Sequence, residues 1–143
     1  MGEREGPERV ASWYWIGATA SLLFMLLGCA VYAMHLYTDP ATLPLDQRVM
    51  FEAEPAWVTT MLGLASIVGT LGTLGLLLRR RAAVPLLIGS LIAAIIWFVG
   101  LFTTPQLRDL LDTSEIAILV IALALGWTIY RFAHHSRQRG WLR

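Results

Sequence analysis

Apolar residues in this chain run together in four long blocks separated by short polar stretches. A block needs about 20 mainly apolar residues to span a hydrocarbon layer about 30 Å thick, because each helical residue rises about 1.5 Å. The blocks predict transmembrane helices at residues 13–37, 55–78, 82–102 and 114–131, the last with its apolar heart at Ile116–Tyr130. None holds Asp, Glu, Lys or Arg in its interior. The fold class this predicts is an all-α integral membrane protein, a four-transmembrane-helix bundle forming one membrane domain over residues 1–143. The first loop has Leu45, Val49 and Ala53 at helical spacing, so a short amphipathic helix at the membrane surface is expected over Asp46–Ala53. Pro55 suits the first turn of the second span, and Asp112 with Glu115 has the spacing of a capping box for the fourth.

The polar stretches fix an orientation. Arg4, Arg9, Arg79, Arg80, Arg81, Arg131, Arg137, Arg139 and Arg143 fall on one side of the four-span map, and only Arg48 and Arg108 on the other. Arginine excess in short loops marks the cytoplasmic side, so both the N-terminus and the C-terminus are expected there. Asp39, Asp46, Glu52, Glu54, Asp109, Asp112 and Glu115 lie in the two opposite loops, in agreement. Trp13, Tyr14, Trp15, Trp127 and Tyr130 are predicted at the inner headgroup level, and Tyr32, Tyr37, Trp57, Trp97 and Phe102 near the outer one. Hydrophobic residues make up 57 % of the chain, more than a soluble domain of 143 residues hides from water but suited to a bilayer.

Candidate chemistry is sparse. Leu26-Leu27-Gly28-Cys29 has the outline of a lipoprotein cleavage site, but the residues after Cys29 stay apolar and Leu27 is large, so a buried thiol is the expectation. The lone cysteine removes an internal disulfide and any Cys-x-x-Cys site, and with them the four-helix membrane oxidoreductases that make disulfides. His35 lies at one membrane surface and His134 and His135 at the other, so they cannot ligate one haem or metal; no cofactor is expected. No ionisable group sits deeper in a span than His35, which argues against proton-coupled antiporters of the small multidrug resistance type. Pro105-Gln106 falls in a loop and not inside a helix, so it is not read as the motif of half-size sugar transporters.

The second span carries the most ordered pattern. Thr59, Gly63, Ser66, Thr70 and Thr73 form one stripe at helical spacing, with Ala65, Gly69 and Gly72 beside it and Leu64, Ile67, Leu71, Leu74 and Leu78 on another flank. Lipid tails give apolar side chains no preference for each other, so spans associate through close backbone approach at small residues and through hydroxyl hydrogen bonds. The stripe is read as a helix-packing face, and alternatively as the polar lining of a solute path. Smaller pairs of the same kind are Gly17 with Ser21, Gly89 with Ala93, and Ala122 with Gly126. Arg79, Arg80 and Arg81 are read as topology anchors that favour anionic lipid headgroups.

Several stretches together resemble a family of small, uncharacterised four-helix bacterial inner-membrane proteins, some of which bear the name sugar transporter. They are Pro55-Ala56-Trp57, Leu71-Gly72-Thr73, Leu76 to Arg81, Ala83-Val84-Pro85 with Ser90-Leu91, Trp127 to Arg131, and Arg139 to Arg143. The resemblance spans nearly the whole chain and brings no site residues with it. It implies the bacterial inner membrane as location. The expected function is that of a non-enzymatic membrane component, with the bilayer and a second copy or a larger membrane complex as partners and no nucleic acid. The alternative is a facilitator of a small polar solute such as a sugar.

Overall fold

The computed structural model describes residues 10–143, so Arg4 and Arg9 of the orientation argument lie outside the described residues. The described chain is helical, without strands. In order come α1 (Ser12–Tyr37), a 3-10 turn (Pro40–Thr42), α2 (Leu45–Ala53), α3 (Ala56–Leu77), α4 (Ala83–Thr103), α5 (Pro105–Leu110) and α6 (Thr113–Gln138). Among the described residues α1, α3, α4 and α6 are long and apolar enough to cross a membrane, at about 32 to 39 Å each. The architecture fits a helical membrane protein.

The helix ends follow local chemistry. Asp112 caps α6, its carboxylate accepting from the Thr113 N–H at 2.8 Å while Glu115 reaches back to the Asp112 N–H at 3.2 Å; this is the expected capping box. Pro55 is the cap residue of α3 and Ala56 opens the helix. The helix α6 continues to Gln138, seven residues past the predicted end at 131. Arg131 and Arg137 end the apolar block without ending the helix, because a charged side chain on an exposed face leaves the backbone ladder intact. The six-residue α5 has no counterpart in the sequence pattern; Pro105 starts it in the first turn, where its missing N–H takes no bond from the helix.

Helices α3 and α4 form the centre, with α1 packed on α3 and α6 on α4. Their apolar windows are 39 % and 33 % buried within the chain, against 17 % for α1 and 11 % for α6, so the outer pair shows broad apolar faces to its surroundings. Two apolar clusters hold the ends. At the end where Arg79–Arg81 lie (the arginine end), Tyr14, Ala18, Leu76, Val84, Leu87 and Ala133 pack around Trp141 and Leu142. At the opposite, loop end, Val58, Leu101 and Leu107 bring α3, α4 and α5 together, with Met50 of α2 against them.

Candidate functional site

Helix α3 is the hub of the bundle, and its small residues explain why. A Cβ built on Gly63 would meet the Tyr32 ring of α1 at 2.5 Å, and one on Gly72 would meet Leu87 of α4 at 2.8 Å. On Gly69 it would meet Met25 Sδ of α1 at 2.5 Å and Ser90 Oγ of α4 at 2.7 Å. The helices therefore approach closely because these positions carry no side chain. On the other flank Leu64, Ile67, Leu71, Leu74 and Leu78 are exposed.

Three hydrogen bonds tie the neighbours to α3 within the span. Ser90 Oγ donates to the Ala65 carbonyl at 2.6 Å, through the space that Gly69 leaves open. Tyr14 Oη donates to the Leu76 carbonyl at 2.5 Å. Cys29 Sγ lies 3.2 Å from Thr70 Oγ1. The Thr70 hydroxyl proton goes to the Ser66 carbonyl at 2.8 Å, so the thiol is the donor of that pair. Such bonds contribute about 0.6 kcal/mol each in a membrane. Cys29 sits inside an unbroken helix, half-buried.

The rest of the stripe is placed as follows. Thr73 is buried and donates to the Thr70 carbonyl at 2.9 Å, within its own helix. Thr59 turns to the loop end and donates to Glu54 at 3.1 Å. Glu54 also lies 3.6 Å from His35 Nε2, whose ring stacks on Phe51 of α2 with centroids 4.4 Å apart. This group of His35, Phe51, Glu54 and Thr59 fastens α2 to α1 and α3. Sequence spacing did not reveal it, since the pair lies 19 residues apart across a loop. On the exposed face of α2, Arg48 pairs with Glu52 at 2.9 Å, and that hydrogen bond holds the guanidinium pKa above its usual value.

Ser66 stands apart from the others. With Ser90 it floors a half-open cavity of about 330 Å³ whose walls come from all four long helices, including Phe24 and Val31 of α1, Ala94 and Trp97 of α4, and Ile118 and Ala122 of α6. Helices α1 and α6 come together near the arginine end, where Phe132 packs on Tyr14 with centroids 5.5 Å apart and against Gly17. Further along they flank the cavity on either side.

The arginine end is closed by the last residues of the chain. Helix α3 ends in a Schellman turn, with Arg80 N–H donating to the Gly75 carbonyl at 2.8 Å and Arg79 N–H to Leu76 at 2.9 Å. Arg79 takes the left-handed position of that turn, at φ 56°. Helix α6 ends in the same way, with Gly140 at φ 70° and Trp141 N–H donating to the Ser136 carbonyl at 3.0 Å. The two turns face each other. Arg81 N–H donates to the Arg143 carbonyl at 3.0 Å, Arg143 N–H to Arg79 at 2.5 Å, and Arg79 Nε to the Trp141 carbonyl at 2.8 Å. Arg81 Nε adds a long contact to the Leu142 carbonyl at 3.4 Å. Of the three arginines assigned to lipid headgroups, two thus direct their Nε to the chain's own carbonyls, while Arg80 is exposed.

No protein-family model, curated protein or solved structure matches this chain. Among the described residues no group of three His, Cys, Asp or Glu side chains is placed to hold a metal ion.

Proposed function

We propose that the chain is a non-enzymatic, multi-pass component of the bacterial inner membrane, with both ends cytoplasmic and α2 lying at the outer surface, that works by associating with itself or with a larger membrane complex. The carrying observation is how the α3 stripe is used. Gly63, Gly69 and Gly72 are filled by Tyr32, Met25 and Leu87, while Thr70 and Thr73 donate to carbonyls of their own helix. The stripe read as a helix-packing face is thereby favoured over a solute path. A path for a sugar needs hydrogen-bond partners for several hydroxyls in succession, because each one left unmatched in a dry interior costs about 1–3 kcal/mol. Broad apolar faces on α1 and α6 supply the surface for association. Seven arginines at the arginine end (79, 80, 81, 131, 137, 139 and 143) have no carboxylate near them among the described residues, which supports the cytoplasmic assignment and attraction to anionic lipid heads.

One observation favours the second reading, a facilitator of a small polar solute: the Ser66 hydroxyl faces a cavity. Apart from Ser90, whose hydroxyl is already given to the Ala65 carbonyl, and the indole of Trp97, that cavity is walled by apolar side chains, so it suits a sugar poorly. Liposomes carrying the purified protein separate the two. Labelled sugars should enter them no faster than protein-free liposomes, and the protein should run in mild detergent as a homo-oligomer or with a stoichiometric partner. Saturable sugar uptake that disappears in a Ser66→Leu, Thr70→Leu variant would replace the association reading with the facilitator.

A further inference from the structure

Five serine and threonine residues are buried in the described chain: Ser21, Ser66, Thr73, Ser90 and Ser136. Four of them donate to a backbone carbonyl, at 2.6 to 2.9 Å. Ser66 alone makes no side-chain hydrogen bond among the described residues, although only 5 % of it is exposed. It lies midway along α3, the depth at which an unmatched hydroxyl is hardest to keep away from water. Gly28 of α1 passes so close that a Cβ there would sit 3.1 Å from Ser66 Oγ. What exposure the residue retains is toward the cavity it lines.

The position of that cavity selects what can reach it. It is bounded by α1 on one side and α6 on the other, and it runs along the spans from Met25 and Leu87, which also belong to the arginine-end cluster, to Val31, Trp97 and Ile118. Its open side therefore faces hydrocarbon, and a molecule arriving there is neutral and mainly apolar. Size narrows the choice. A dry cavity of about 150 Å³ accepts benzene, and ligand pockets begin at about 300 Å³. A volume of about 330 Å³ fits a two-ring skeleton.

From these observations we infer that the cleft between α1 and α6 is a binding site for a neutral, two-ring-sized apolar molecule bearing one hydroxyl or carbonyl oxygen, which enters from the bilayer and hydrogen-bonds to Ser66. The site requires that association through the outer faces of α1 and α6 leave the cleft between them open to the bilayer.

The test uses the full chain in phosphatidylcholine nanodiscs and two matched probes, 2-naphthol and naphthalene, with empty nanodiscs of the same lipid giving the bilayer's own uptake. Protein-containing discs should take up a saturable excess of 2-naphthol. They should prefer it over naphthalene, relative to the empty discs, by roughly three- to tenfold, the ratio a single net hydrogen bond gives. In Ser66→Ala the excess should remain and the preference vanish. In Ala94→Phe, which fills the cavity, the saturable excess of both probes should be lost. An absent or unsaturable excess in the wild type would mean that bilayer tails occupy the cleft, and would overturn the site. A preference that persists in Ser66→Ala would overturn the role of Ser66. If Ala94→Phe fails to fold, the Ser66→Ala comparison decides alone, since it removes one oxygen and leaves the packing in place.

Discussion

Glycine at 69 and glycine at 89 look alike in the sequence, both within apolar spans and both near a small neighbour. The bundle uses them differently. A methyl group at Gly69 would press on Ser90 Oγ at 2.7 Å, and Ser90 is short and held by its bond to Ala65, so it has little room to yield. At Gly89 the nearest atom is Val68 Cγ1 at 3.9 Å, an ordinary contact. Gly69→Ala should therefore destabilise the bundle by about 1–3 kcal/mol, the usual cost of overpacking. Gly89→Ala should be neutral to within about 0.5 kcal/mol. Reversible unfolding in mixed micelles, followed by circular dichroism, gives both values; equal effects would show that α3 and α4 do not meet through Gly69. In the sequence Gly69 and Gly89 could not be told apart, because what separates them is the partner helix that each one meets.

Helix ends decide how the arginine end is built. Arg79 occupies a left-handed position that costs a non-glycine residue about 1–2 kcal/mol. Its Nε bond to the Trp141 carbonyl, a hydrogen bond from a charged group, contributes about 1.5–3 kcal/mol and so offsets that cost. Trp141 is 6 % exposed and packs edge-on against Tyr14 and Trp13, with centroids 5.7 Å and 5.2 Å away. Trp141→Ala should lower the unfolding free energy by about 3 kcal/mol, whereas Arg80→Ala, on an exposed side chain, should leave it unchanged. A thermal unfolding series covers both, and a silent Trp141→Ala would mean that the last residues do not seal the bundle. In the sequence Arg139 and Arg143 read as charge for topology. The signal that could have shown more is Gly140 followed by Trp141-Leu142, a glycine stop and then two apolar residues, the sequence of a Schellman turn that folds back onto its helix.

Across the whole molecule, the four spans were legible because their criterion is one-dimensional: length, apolarity and the absence of charge. Their ends in the structure agree with the expected ones to a residue for α1, α3 and α4, and only α6 runs on. The cavity was not legible, since it arises where α1 and α6 part, and that depends on how two helices lean against a central pair. The pairing of His35 with Glu54 escaped for a similar reason, being set by how the first loop folds back. What joins these features is the sorting of arginines to one end of an even number of spans, which places Arg81 and Arg143 together. Fusing alkaline phosphatase after Arg81 and, separately, after Arg143 tests this most directly in bacterial cells. Both fusions should be inactive, as the enzyme is when held in the cytoplasm; activity from either one would contradict the four-span arrangement and the orientation built on it.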